Sequence, residues 1–530
     1  MDLTGKLQRA GVKPRPPLAL RLPALAVALG TCLPVLYLIL RALEAEPGQI
    51  TGIVLRERNA VLLANTLKLV GVVLALGTAI ALPMAWLVTR SDLRHRRLVS
   101  FLMVLPLAVP GYVMAYALIG LSGYYGFLRH WFGIGLPPLH GLWGAGLALT
   151  LYTFPYIFLN LRAAFLGMDP ALEETARSLG RPQLAVFRQI VLPQLWPALV
   201  SGWLVVGLYV IGDFGAIALM RYEVFSAAIY SQYAGAFDRT YAAWLALSLL
   251  AVTVAALVAQ GRVTRNRRFA ATGSGARRSA QPVALGRWRW LARGAVGLVV
   301  LASLGLPLLV LLHWMRLGLP DLDPAQLLRA MLRTVAIAAP AALIVMALAL
   351  PVVVLDLRWP GRLSRLTERL AWLGYATPPL ALALALAFMS LRVAPALYQT
   401  YALLIMAYVI SFIALALGPL RLALMQIGPR SEEAARALGA APGRAFARVT
   451  LPRLRRPMVA AGILVFVMVV KDLPLAWMLA PTGTRTLATT VFARTSEGMM
   501  AEAAPFALAL ILFSAGFVGL ILKYEHGARR

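Results

Sequence analysis

The chain has 530 residues, of which 60% are hydrophobic and only 14% charged, with a mean hydropathy of +0.77. Too few charges remain to cover a soluble protein of this size, so that class is excluded. A formal net charge of +30 invites a nucleic-acid partner, but the cations are sorted by loop, and no nucleic acid is expected.

Residues 1–21 form a basic lead (Lys6, Arg9, Lys13, Arg15, Arg21). It resembles a secretory signal, but the apolar run behind it is long and no small-residue cleavage site follows, so a retained first helix is expected. Runs near the ~20 residues needed to cross a bilayer then recur at 22–40, 61–89, 98–120, 141–161, 197–219, 241–260, 291–313, 334–355, 371–390, 400–420, 458–480 and 503–522. Pro and Gly fall inside many of them, as spanning helices packed on neighbours tolerate. With the N-terminus inside, the inner segments hold roughly three times as many Lys and Arg as the outer loops. That bias places both termini in the cytoplasm and suits contact with anionic lipid. The sequence therefore predicts an all-α polytopic membrane protein. Its expected parts are a cytoplasmic tail at 1–21, a six-span unit at 22–260, a basic cytoplasmic linker at 261–290, a second six-span unit at 291–522 and a tail at 523–530. The linker carries Ala271-Thr272-Gly273-Ser274-Gly275-Ala276 between Arg pairs and reads as a flexible connector. An even number of spans per unit makes the two halves parallel repeats.

Two polar segments, 166–195 and 425–454, repeat each other 259 residues apart without a gap. The first reads Glu174-Thr175-Ala176, Gly180, then Ile190-Val191-Leu192-Pro193. The second reads Glu433-Ala434-Ala435, Gly439, then Val449-Thr450-Leu451-Pro452. Asp169-Pro170 suits a helix start, with Glu173 and Glu174 in the favoured first turn, and Gly180-Arg181-Pro182 breaks the helix. The second copy keeps Pro429, Glu432, Glu433 and Gly439 but has Gly428 in place of the capping Asp. Each copy is expected to form a short helix, a bend and a second short helix on the cytoplasmic side. Identical spacing in two copies argues that both present one element to a shared partner.

Asp213 and Asp472 occupy one repeat position, each about 20 residues past its Leu-Pro, which at ~1.5 Å per residue is the outer part of a span. Charges there are costly unless paired or wet, so Asp213, Lys471 and Asp472 are candidates for a translocation path or gate. The alternative is a helix-packing or interfacial role, with Lys471 neutralising a neighbour. Cys32 is the single cysteine, so no disulfide framework or Cys metal site is expected. His95, His130, His140, His313 and His526 lie on loops and ends and lack ligand spacing, and the loop pair His130 and His140 is expected to be solvated, so no metal site and no cofactor are expected. The one Gly-Lys, Gly5-Lys6, is followed by Leu7, so no P-loop is present. Catalysis by this chain is not expected, and nucleotide chemistry must come from another chain.

The pattern Glu-Ala-Ala, Gly, Ile-x-Leu-Pro resembles the signature loop of permease subunits of binding-protein-dependent ABC importers, and the resemblance covers nearly the whole chain as two fused units. The departures are Thr175 for the first Ala and Val449 for Ile. The resemblance implies the type I importer permease fold, with about twelve spans. It implies coupling loops formed by Glu174, Ala176, Gly180, Ile190, Leu192 and Pro193 and by Glu433, Ala434, Ala435, Gly439, Val449, Leu451 and Pro452. Its implied partners are two copies of a cytoplasmic ATPase subunit and an extracytoplasmic substrate-binding protein, at a bacterial cytoplasmic (inner) membrane. Glu174 and Glu433 match the family's acidic contact and Gly180 and Gly439 its hinge. The stretches Asp213-Phe214-Gly215-Ala216, Lys471-Asp472-Leu473-Pro474 and Pro481-Thr482-Gly483 are most similar to the ferric-iron branch, although Glu often stands there at the place of Asp472. The alternatives are the same architecture importing thiamine, a polyamine or an oxyanion, and, more distantly, a secondary transporter.

Overall fold

The computed structural model describes residues 16–44, 52, 56–169, 171–232, 235, 239–265, 282–318 and 323–527. The tail 1–15, Pro170, the Gly/Ser stretch of the linker and the last three residues lie outside the described residues. Those described form helices and no strand, apart from one isolated bridge between Ser91 and Val283.

Among the described residues, nine helices are long and apolar enough to cross a membrane. Two further pairs, Arg96–Ala108 with Gly111–Leu121 and Arg362–Ala376 with Pro379–Val393, are bent by 92° and 104°. Both bends fall at proline. Pro110 and Pro378 hold extended backbone (ψ 152° and 132°), and a proline donates no N–H to carry the helix through. The spans expected at 98–120 and 371–390 are therefore broken helices. The run expected at 458–480 is helix Leu451–Lys471, which stops at Asp472. Arg453, Arg455 and Arg456 in its first turns leave its apolar stretch short.

The repeat seen in the sequence is repeated in the backbone. Helices Ala171–Ser178, Gln183–Val186 and Leu192–Gly212 recur as Arg430–Ala437, Pro442–Ala445 and Leu451–Lys471, each displaced by the same 259 residues. A π-helical turn precedes each Leu-Pro, at Phe187–Val191 and Phe446–Thr450. Pro193 and Pro452 cannot donate to the carbonyl four residues back, and a wider turn accommodates the lost bond.

The chain divides into two compact units that cut across the sequence halves. One gathers residues 1–45, 324–489 and 512–530, the other 46–323 and 490–511. In the first, helix Leu18–Ala42 packs on Pro324–Arg358, Arg362–Ala376 and Pro379–Val393. The approach is close at Gly374, where a Cβ would lie 2.5 Å from Thr31 Cγ2 and 2.6 Å from the Ile410 carbonyl oxygen. In the second, helix Leu306–Gly318 packs on Gly111–Leu121, and Trp314 Nε1 donates to the Gly120 carbonyl at 3.2 Å. Each unit is built around one matched trio of packed helices. These are Glu57–Arg90, Gly141–Gly167 and Leu192–Gly212 in one, and Pro324–Arg358, Tyr401–Ile427 and Leu451–Lys471 in the other.

Candidate functional site

Each polar segment is a short amphipathic helix ended by a left-handed glycine. Asp169 Oδ1 accepts from the Ala171 N–H at 3.0 Å, satisfying one exposed donor at the first helix start. Gly180 has φ 76° and Gly439 φ 89°. The Gly180 N–H bonds the Arg177 carbonyl and the Arg181 N–H the Ala176 carbonyl, and Gly439 and Ala440 repeat both bonds to Arg436 and Ala435. This paired pattern closes a helix with a residue whose φ suits glycine.

The two glutamates at each helix start have opposite fates. Glu174 and Glu433 are exposed, while Glu173 and Glu432 are buried. Glu173 is ion-paired to Arg90 and Arg177, each at 3.1 Å. Glu432 receives both Arg358 nitrogens, at 2.7 and 2.5 Å, and the Thr450 hydroxyl at 2.8 Å. Arg90 and Arg358 are the last residues of the long helices Glu57–Arg90 and Pro324–Arg358. Each short helix is thus clamped to the end of a long span by a buried ion pair. Burial alone would raise the Glu432 carboxyl, but the Arg358 and Thr450 hydrogen bonds and the Arg358 and Arg436 charges outweigh it and hold it below its usual value. Sequence reasoning missed these clamps, because the arginines lie 83 and 74 residues upstream, at helix ends beside loops rich in others.

The Ile/Val, Leu and Pro of the signature divide alike in both copies, and the alanines do not. Ile190 and Val449 are half-buried, as are Leu192 and Leu451, and Pro193 and Pro452 are exposed. Ala176 is buried, Ala435 half-buried and Ala434 exposed. Leu179 and Leu438, also missed, are 77% and 89% exposed. A leucine placed directly before the glycine in both copies was the available signal. Each segment therefore presents an acidic residue and an unburied leucine on its outer side.

Asp213 and Asp472 stand at the breaks that end the matched helices Leu192–Gly212 and Leu451–Lys471. Asp213 Oδ1 accepts from the Ala216 and Ile217 N–H groups (3.0 and 3.4 Å), its Oδ2 receives the Tyr152 hydroxyl (3.4 Å), and its carbonyl receives Ser226 Oγ (2.7 Å). Asp472 Oδ2 accepts from the Leu475 N–H at 3.0 Å. Both carboxylates cap the short helices that follow. Lys471 is half-buried beside Asp472 in the chain.

His313, expected on a loop or at the end of a span, is buried. Its ring lies 5.0 Å from that of His130. Trp131 Nε1 donates to His313 Nδ1 at 3.2 Å, and His313 Nε2 meets the Tyr125 carbonyl at 3.2 Å. Both ring nitrogens are thereby engaged by protein. Long-range packing of the short helix Phe127–Phe132, invisible in the spacing, makes this arrangement. Among the described residues no three His, Cys, Asp or Glu side chains gather as a metal site.

The family described as "binding-protein-dependent transport system inner membrane component" matches residues 74–269 and again 347–526. The chain is 30% identical over 516 residues to the Fe(3+)-transport system permease protein FbpB 2 of Haemophilus influenzae, covering 96% of this chain and 99% of that one. It is 34% identical over 165 residues to the molybdenum transport system permease protein ModB of Escherichia coli strain K12, covering 30% of this chain and 70% of that one. It is 28% identical over 208 residues to the sulfate transport system permease protein CysT of Salmonella typhimurium, covering 37% and 74%. The duplicated match, the two clamped helices and the apolar spans agree, and the chain belongs to the family of inner membrane components of binding-protein-dependent transport systems, with two copies of the family's domain in one polypeptide.

Proposed function

We propose that this chain is the permease of an ATP-driven importer that carries ferric iron across the inner membrane. The observation that carries the reading is relatedness along the entire chain to a ferric-iron permease. In the proposed cycle a binding protein outside delivers the ion, and two copies of an ATPase inside supply the energy. Each ATPase copy engages one polar segment, through Glu174 and Leu179 in the first and Glu433 and Leu438 in the second. Support comes from the exposure of these four side chains and from the buried clamps beneath them, which transmit a push on the short helix to the end of a long span. Both termini lie on the ATPase side, in keeping with the charge bias of the loops. Asp213, Lys471 and Asp472 contribute to the path or its outer gate. Their support is their depth, their half-burial and the recurrence of the two acids at one repeat position.

The test is reconstitution of the chain with its ATPase and binding protein in liposomes. ATP-dependent uptake of ferric iron is expected, with no uptake of sulfate, molybdate or thiamine. Uptake of an oxyanion in place of iron would replace the substrate assignment and leave the permease assignment intact.

A further inference from the structure

Asp213 keeps different company from Asp472. Tyr152 and Tyr156 lie one turn apart on helix Gly141–Gly167, and so share a face. Tyr209 and Asp213 stand one turn apart at the end of Leu192–Gly212. The two helices pack together, and the Tyr209 ring lies 5.9 Å from that of Tyr152 and 5.5 Å from that of Tyr156. The Tyr152 hydroxyl reaches Asp213 Oδ2 at 3.4 Å. Gly111, the first residue after the 92° bend, closes the group from a third element. A Cβ there would stand 2.6 Å from Tyr152 Cε1 and 3.2 Å from Asp213 Oδ2. Tyr156, Tyr209 and Asp213 are half-buried, so the cluster is not sealed in the core.

The architecture does not require these tyrosines. At the same positions of the second repeat stand Ser411, Leu415 and Met468, and Asp472 caps its helix there without them. Phenylalanine would fill the same volume without bringing a hydroxyl into an apolar region, where each hydroxyl needs a partner. One phenol bonded to a carboxylate, with the Tyr209 ring packed against it and Tyr156 against Tyr209, instead brings together residues that carry oxygen donors, the ligand type that hard cations take.

We propose that Tyr152, Tyr156, Tyr209 and Asp213 form a transient oxygen-donor site for the ferric ion on its way through the first repeat. The inference rests on the ferric-iron reading above. Binding exchanges the ferric ion's bonds to water or to its carrier for Fe(III)–O bonds to the Asp213 carboxylate and to phenols that ionise, each phenol proton passing to water, and iron keeps its oxidation state. The ion is cargo and leaves again, as half-burial of three of the four donors permits.

The probe is ferric nitrilotriacetate added to the full chain in lipid nanodiscs. An Fe(III)–phenolate site produces a visible charge-transfer band, which a carboxylate-only site lacks. The wild type is expected to develop the band. Tyr152→Phe and Tyr209→Phe are expected to weaken it severalfold, and the triple Phe variant, with Tyr156→Phe, to lose it. Tyr124→Phe, on the exposed outer loop, is expected to retain it. Each Phe variant keeps its ring, so unchanged thermal melting checks that packing survives. In liposomes with both partners, ferric uptake per assembled complex is expected to fall about tenfold in the triple variant, a differential of ~1.4 kcal/mol. A wild type that imports ferric iron but shows no band overturns this site alone, as does a band that survives in the triple variant. A wild type that imports another cargo and no iron overturns the ferric reading, and the site with it.

Discussion

Neighbouring glutamates with opposite environments make different predictions. Glu174→Lys and Glu433→Lys reverse exposed charges, so the helices should stay folded while co-purification of the ATPase falls, more in the double variant than in either single one. Wild-type yield of ATPase with the double variant would refute the contact. Glu432→Gln instead leaves Arg358 without its buried counter-charge. Losing one side of such a pair costs on the order of 2–3 kcal/mol locally. Faster hydrogen exchange over 430–437 is the expected result, while Glu433→Lys leaves exchange there unchanged. The pH dependence follows from the direction of the shift. Glu432 is held below its usual value in the folded state, so its stabilisation is complete above the ordinary carboxylate range and is lost only as pH falls through the lower, folded-state value. Protection of 430–437 should therefore be full above the range in which exposed carboxylates titrate, weaken as pH falls below it and be lost below the folded-state value. Asp213→Asn and Asp472→Asn test another division. Asparagine caps a helix nearly as well as aspartate, so the short helices that follow should survive while the charge is gone. A path or gate role predicts reduced uptake per assembled complex at normal assembly. Unchanged normalised uptake in the double variant would leave both acids as caps alone.

At the scale of elements, the left-handed glycines decide where each polar helix stops. A Cβ at Gly180 or Gly439 meets nothing within 4 Å, so substitution there is a purely conformational matter. Gly180→Ala and Gly439→Ala should each cost ~1 kcal/mol of local stability, and Asn, which tolerates this region, should cost less. Hydrogen exchange over 171–178 and 430–437 measures it. Gly374 has the opposite problem. Its φ is ordinary, but a Cβ would strike the Ile410 carbonyl and Thr31. Gly374→Ala should force helix Leu18–Ala42 away from Arg362–Ala376 and lower the melting temperature. A chemically identical substitution thus acts through backbone conformation at one site and through contact at the other. The prolines show a similar dependence on context. Pro155 and Pro419 lie inside continuous helices, whereas Pro110 and Pro378 stand at sharp bends.

For the whole molecule, the division into compact units carries a consequence for cutting the chain. Helix Leu18–Ala42 packs with helices of the second sequence half, and Leu306–Gly318 with helices of the first. A fragment spanning residues 1–265 would therefore lack a helix its own unit needs, as would one spanning residues 282–530. Each half expressed alone should be degraded or aggregate, and co-expression should restore both. Stable, separately purified halves would contradict this. The absence of a Gly-Lys-Ser/Thr turn anywhere in the 530 residues makes a further prediction. The purified chain without partners should show no ATP turnover above background, and turnover abolished by a point change in this chain would count against a permease role.

The sequence by itself determined the all-helical membrane class, the duplication and the family. Each rests on local signals that no packing can override, namely apolar length against bilayer thickness, Lys and Arg sorted by loop, and a signature repeated at fixed spacing. The short helix, glycine stop and second helix were legible for the same reason, since capping chemistry acts within a turn. Only the tertiary structure decided which glutamate of each pair is buried, because that depends on Arg90 and Arg358 arriving from distant helix ends. It alone showed that two apolar runs are bent by about a right angle, since a proline in a spanning run is compatible with both a continuous and a broken helix. It alone engaged the nitrogens of His313, and it alone gathered Tyr152, Tyr156, Tyr209 and Asp213. Spacing along one helix shows which residues share a face, but which face of the next helix meets it is settled by packing across the fold.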